Sequence, residues 1–137
     1  MPISGDSRGL LTLVETFEIT GPLADYKQTV TAFCHKIEQD GLADVLVMQF
    51  YVSQDVREAY LILTLKDGDA FDKHAAFIMS TDEVRPYVKT VRLKQMRAFG
   101  AMNADTVKRL GSQHGFDFEW VSEHVTGFIR SGAPGSE

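Results

Sequence analysis

The run Ala59 to Lys66 constrains the fold more than any other stretch of this chain. Read as a strand, it sets Leu61, Leu63 and Leu65 on one face and Tyr60 and Ile62 on the other. A strand that is apolar on both faces belongs to a sheet covered on both sides. One helical layer covers one face only, so something else must cover the second. Val45 to Ser53 is a companion β-rich run, and the connection Gln54-Asp55-Val56-Arg57-Glu58 suits an antiparallel hairpin with a longer loop.

The remaining elements follow from periodicity. Leu10 to Ile19 reads as a strand with Leu11, Leu13, Phe17 and Ile19 on one face and Glu15 in their midst. Thr20-Gly21-Pro22 breaks it and starts a helix, with Leu23, Tyr26, Val30, Phe33, Cys34 and Ile37 at helical spacing and Gly41 at its end. Asp67 or Asp69 caps a second helix, with Phe71, His74 and Ile78 on its inward stripe. Ser80-Thr81-Asp82 offers a fresh cap before Val84, Tyr87, Val88 and Val91, and Pro86 lies near it, so this helix is expected to be broken or kinked. Leu93 to Gly100 is a fourth strand. Asn103 to Leu110 and Asp117 to Arg130 are expected to be helices, the latter carrying Val121, Val125, Phe128 and Ile129.

The predicted order is β-α-β-β-α-β, an α+β, ferredoxin-like sheet with both helices on one face, followed by a C-terminal helical extension. The uncovered face then calls for a partner, most simply the same sheet from a second copy, giving a homodimeric α+β barrel. At 137 residues the chain has room for one core. The expected division is a flexible arm over 1–9, the ferredoxin-like domain over 10–102, the helical extension over 103–130 and a disordered tail over 131–137.

Composition narrows the function classes. Fourteen basic against nineteen acidic residues give a net charge of −5, which argues against general nucleic-acid binding. Apolar runs such as Val45 to Met48 are far shorter than a membrane span, and no basic segment followed by an apolar stretch opens the chain, so a cytoplasmic location is expected. The single cysteine, Cys34, excludes an internal disulfide framework. No zinc, EF-hand, P-loop, GxSxG or dinucleotide motif occurs, and neither metal nor cofactor is expected. Arg85 to Arg109 holds seven of the basic residues and one acid, Asp105, read either as a solvated face offset by acids elsewhere in the fold or as a field that steers an anionic small ligand.

The candidate chemistry lies in polar residues that interrupt apolar patterns. His74, on an apolar helical stripe, is either a core histidine bonded to a backbone carbonyl or a general acid or base near neutral pH. Glu15, Gln49 and Arg97 each interrupt a strand face, in Leu13-Glu15-Phe17, Val47-Gln49-Tyr51 and Leu93-Gln95-Arg97-Phe99. The first and fourth strands are neighbours in this order, so Glu15 and Arg97 are expected to face one another. They form either a structural ion pair or the polar floor of a pocket in which Arg97 binds a carboxylate, phenolate or enolate oxygen.

Three stretches resemble the dimeric α+β-barrel proteins of the antibiotic-biosynthesis-monooxygenase type. They are Leu11-Thr12-Leu13-Val14-Glu15, the hairpin arms after the first helix, and the junction Lys66-Asp67-x-Asp69-Ala70-x-x-x-His74. The likeness spans about residues 10 to 102. It implies a homodimer and a family that includes cofactor-independent oxygenases of aromatic polyketides, isomerases and haem-degrading enzymes. The oxygenases carry Asn and Trp four residues apart on the third strand, where this chain has Leu61 and Leu65, and a tyrosine early in the second helix, where it has Phe71. The haem branch's axial histidine has no counterpart over Val84 to Val91, so the resemblance implies no haem here.

Two functions stay open on this reading. The first is a cofactor-independent oxygenase or isomerase acting on a small aromatic or enolisable substrate in an apolar barrel pocket. His74 and Arg97 would be its catalytic residues, with Glu15, Gln49, Tyr51, Tyr60, Leu61, Leu65 and Phe71 around the substrate. The second is a non-catalytic ligand-binding or assembly domain of the same fold.

Overall fold

The computed structural model describes residues 9–130; the expected arm over 1–9, save Gly9, and the tail over 131–137 lie outside the described residues. Strand β1 (Leu11–Ile19) leads to helix α1 (Leu23–Asp40), the hairpin β2 (Val45–Ser53) and β3 (Glu58–Leu65), and helix α2 (Gly68–Met79). A short helix α3 (Val84–Val88), strand β4 (Val91–Gly100), helix α4 (Ala104–Gly111) and strand β5 (Asp117–Val121) follow. The sheet order is β2-β3-β1-β4-β5, antiparallel except for the parallel pair β4 and β5. Its first four strands have the ferredoxin-like order expected from the sequence.

Local chemistry sets the element ends. The Asp67 carboxylate accepts the Ala70 amide at 2.8 Å and starts α2. The hydroxyls of Ser80 and Thr81 donate to the carbonyls of Phe77 and Ile78, at 2.6 and 2.8 Å, and end it. The stripe expected to continue to Val91 is therefore broken into two helices, with Pro86 inside the first turn of α3, where its missing N–H costs nothing. Gly41 closes α1 by donating to the Ile37 carbonyl, and a Cβ there would sit 2.5 Å from that oxygen.

Alternation divides the sheet into two faces. Leu11, Leu13, Phe17 and Ile19 of β1, and Ala59, Leu61, Leu63 and Leu65 of β3, are buried beneath the helices. Tyr26, Val30, Phe33 and Ile37 of α1, Phe71 of α2 and Tyr87 of α3 pack against them. Opposite, the outer face carries Val47 and Tyr51, 40% and 57% exposed, with Tyr60, Ile62 and Phe99.

The C-terminal extension departs from expectation. Its first half is helical, as α4, but the helix expected over Asp117 to Arg130 is instead strand β5 followed by residues 122–130 without regular structure. Val121, expected on one helical stripe with Val125, Phe128 and Ile129, lies instead in the strand, opposite Phe99. β5 gains backbone hydrogen bonds along the edge of β4, and the Trp120 indole donates to the Gly100 carbonyl at 2.7 Å. The following segment crosses one end of the outer face, where Thr12, Val47, Thr64, Phe99, Val125 and Ile129 line a cleft of about 490 Å³.

Candidate active site

The nine residues singled out from the sequence fall on two sides of the sheet. Glu15, Leu61, Leu65, Phe71 and His74 belong to the helix-covered side; Gln49, Tyr51, Tyr60 and Arg97 belong to the outer side. Gln49 and Tyr51 are exposed, and the Tyr60 hydroxyl donates to Glu58 at 2.7 Å. These four therefore do not share a pocket with His74.

The expected pairing of Glu15 with Arg97 is overturned by the register. Glu15 lies opposite Met96, and Arg97 lies opposite Val14 and extends from the outer face. There it forms an ion pair with Glu119 of β5 at 2.8 Å, and its guanidinium covers the Phe99 ring at 5.3 Å. The cause is a β-bulge where the partners of Thr16 and Phe17 skip from Gln95 to Leu93. An inserted residue reverses the side-chain alternation beyond it. Leu93 joins the core, and Gln95, Arg97 and Phe99, read as sharing its face, turn away.

Glu15 is thereby left without a cation. Flanked by Leu61 on β3 and Met96 on β4, its carboxyl makes no hydrogen bond or ion pair among the described residues. Burial alone pushes it from 4.5 up to about 7. The residue still keeps some accessible surface, whereas Leu11 and Leu13 of the same strand face keep none.

Tyr87, close enough to feel the Glu15 carboxyl, and its neighbour Tyr26 sit on helical stripes that mark them as core positions. Tyr26 and Tyr87 are 2% and 5% exposed, and neither hydroxyl has a hydrogen-bond partner. Burial pushes the Tyr26 phenol up to about 12, and burial followed by the nearby Glu15 carboxyl and Tyr26 phenol drives Tyr87 higher still. The one signal available in the sequence was a tyrosine, with its obligatory hydroxyl, where an amphipathic stripe calls for Phe or Leu.

His74 is buried in α2 with its Nδ1 unpartnered, and burial lowers its affinity for a proton below the ordinary 6.5. It is a neutral imidazole at pH 7. The basic segment Arg85 to Arg109 is a solvated face as read, with Arg92 paired to Glu18, Lys94 to Glu58 and Arg97 to Glu119. Among the described residues no cluster of His, Cys, Asp and Glu is placed to hold a metal ion, and no helix is long and apolar enough to cross a membrane.

With this geometry the chain has the ferredoxin-like α+β fold of the antibiotic-biosynthesis-monooxygenase type. The solved structures similar to it include MupZ from Pseudomonas fluorescens, at 11% identity and a TM-score of 0.65 over 87% of this chain and 95% of that one. SnoaB, a cofactor-independent oxygenase from Streptomyces nogalater, aligns at 14% identity and a TM-score of 0.56, over 69% of this chain and 95% of that one. A candidate antibiotic biosynthesis monooxygenase from Caulobacter crescentus aligns at 15% identity and 0.56, over 70% and 92%. No family model matches the chain, and no curated protein matches it significantly.

Proposed function

We propose that this protein is a cofactor-independent enzyme, an oxygenase or isomerase, acting on a small aromatic or enolisable substrate between sheet and helices. The observation that carries this reading is Glu15, a half-buried carboxyl on the helix side of the sheet with no cation to hold it there. An acid poised at about 7 is close to half ionised at neutral pH, where it serves best as a general base. Its carboxylate takes a proton from an activated C–H, and the electron pair left behind delocalises into the adjacent carbonyl or ring. Returning the proton at another carbon completes an isomerisation. With dioxygen as co-substrate, a CH2 group and O2 become a carbonyl and one water, so atoms and electrons balance. His74 is the companion acid or base. Arg97, on the outer face, has no part in this chemistry.

A non-catalytic binding domain is favoured by one observation: Leu61, Leu65 and Phe71 are themselves buried and fill the helix side with hydrocarbon. Solvent deuterium incorporation into aryl ketones, followed by NMR, together with oxygen uptake on anthrone-type phenols, separates the two readings. On the enzyme reading Glu15→Gln lowers either rate about 100-fold or more, the usual worth of a positioned base. A wild-type chain inert in both assays belongs to the binding class.

The outer face supports self-association. Its exposed Val47 and Tyr51 extend an apolar surface that a second copy would cover, burying at least ~1,200 Å² in all. Light scattering at micromolar concentration is expected to give twice 15.3 kDa. A monomer mass removes the barrel.

A further inference from the structure

Asn103 departs from what its position asks of it. It is the N-cap of α4, where an asparagine ordinarily accepts an amide proton of its own first turn, yet its side chain makes no such bond. Its amide nitrogen turns to α2 instead and donates to the carboxylates of Asp69 at 2.8 Å and Asp72 at 2.7 Å. The second Asp72 oxygen accepts the hydroxyl of Thr106, a residue 2% exposed, at 2.7 Å. Asp69 and Asp72 are three apart on one helix, where like charges repel. One NH2 group gives a proton to each, and an asparagine does this without adding charge. The backbones close up as well: a Cβ on Gly68 would sit 3.1 Å from the Asn103 nitrogen and from the Met102 Cα. A local rule is given up in this way where another demand outweighs it.

That demand is the hold on α2. Among the described residues, these three bonds are the side-chain hydrogen bonds that tie α2 to another element. Inward, α2 rests on hydrocarbon through Ala70 and Phe71, and the buried Nδ1 of His74 bonds to nothing. Past His74 no residue of α2 is fully buried, and Met79 at its end is 73% exposed. The Asp67 cap bounds the helix at one end and the break at Ser80 and Thr81 at the other, so α2 is a short rigid piece between two places where the chain can pivot. His74 is 3% exposed, and none of the three clefts of about 490 to 590 Å³ is lined by it. An imidazole so covered meets water or a substrate only when α2 lifts.

We propose that α4 is a latch on α2: while Asn103 and Thr106 hold Asp69 and Asp72, His74 is shut away, and release of that clasp lets α2 lift as a unit and opens the imidazole to solvent and substrate. The role of the latch in catalysis rests on the helix-side reading above, but the latch itself is measured without turnover. Asn103 and Thr106 are positioning residues. They act on His74 through α2 and touch no substrate.

Hydrogen exchange of the full chain at pH 7, followed by mass spectrometry, tests the proposal together with carbethoxylation of His74 by diethyl pyrocarbonate, the exposed His35 serving as control. In wild type the α2 amides are expected to exchange through a local opening that low urea does not accelerate, while those of α1 wait for global unfolding. His74 is expected to react about tenfold or more slowly than His35. Asn103→Ala combined with Thr106→Val is expected to speed both α2 exchange and His74 modification about tenfold or more, the worth of one hydrogen bond to a charged group. The same variant is expected to leave α1 and His35 within about twofold of wild type. Asn103→Asp, which sets a third carboxylate beside Asp69 and Asp72, is expected to open α2 at least as far. Equal acceleration in α1 and α2 overturns the latch, since the clasp then only adds stability. Wild-type α2 amides that exchange by global unfolding alone overturn it as well, a result that needs no variant to fold. So does a wild-type His74 as reactive as His35. A wild type inert in every turnover assay, with α2 latched, sinks the enzyme reading alone. Turnover in wild type, with α2 exchange unmoved in the double variant, sinks the latch alone.

Discussion

Replacing Glu15 by Gln removes one titration and almost nothing else, so it isolates what the buried carboxyl does to folding. The free carboxyl of an unfolded chain titrates near 4.5, and burial pushes it to about 7 in the folded protein. Between those values the folded chain holds a proton that the unfolded chain has released. Stability therefore falls as pH rises through the interval, with no penalty below 4.5 and the full penalty above about 7. The width of the interval, at ~1.4 kcal/mol for each tenfold change, corresponds to about 3 kcal/mol. That is a large share of the 5–15 kcal/mol typical of domain stability. Urea unfolding of wild type and Glu15→Gln at steps from pH 4.5 to 8 measures it. Other titrating groups are common to both chains and cancel in the difference. The wild type is expected to lose about 3 kcal/mol relative to Glu15→Gln across this range. A difference constant within ~0.5 kcal/mol would mean that water reaches the carboxyl freely. Both the argument from desolvation and the assignment of Glu15 as a base poised near neutrality would then fail.

Three further outcomes follow from the same geometry. His74 is buried as the neutral imidazole, so the folded protein is expected to lose stability as pH falls below 6.5, and His74→Gln should blunt that loss in melts between pH 7 and 5; a variant with wild-type acid sensitivity refutes it. Arg97→Met removes an exposed pair with Glu119 and is expected to cost about 0–1 kcal/mol in urea unfolding, whereas a loss of ~3–5 kcal/mol would mean that Arg97 does neutralise a buried acid. Gly100 has φ +114 and a Cβ there would sit 2.3 Å from the Leu10 carbonyl oxygen, so Gly100→Ala is expected to destabilise by more than ~1 kcal/mol, and a melt within a degree of wild type would contradict that geometry.

The helix-covered side was legible residue by residue. Leu11, Leu13 and Phe17 on β1, and Leu61, Leu63 and Leu65 on β3, are buried as their alternation implies, and Glu15 shares their face. Each assignment needs only the period of one strand, a local property. The inward stripe of α2 was equally local, and both Phe71 and His74 are buried. The tail was not legible in this way. Val121, Val125 and Phe128 satisfy a helical period, but a free hydrogen-bonding edge on β4 was available to a strand, and local spacing carries no information about that edge.

What the sequence by itself determined is thus the order of elements in the ferredoxin-like unit, the face each early strand buries, and the presence of an acid and an imidazole among hydrocarbon. What only the tertiary structure decided is which polar groups meet. Arg97 left the core side because one extra residue in β4 reversed its alternation relative to β1, and a bulge is a property of two paired strands rather than of either one. Tyr26 and Tyr87 are 61 positions apart in the chain, and their rings come within 6.5 Å of one another only when α1 and α3 pack together. The sequence shows each group's own period, but the partner of a buried charge is set by the register and packing of other elements, and these exist only once the chain has closed on itself.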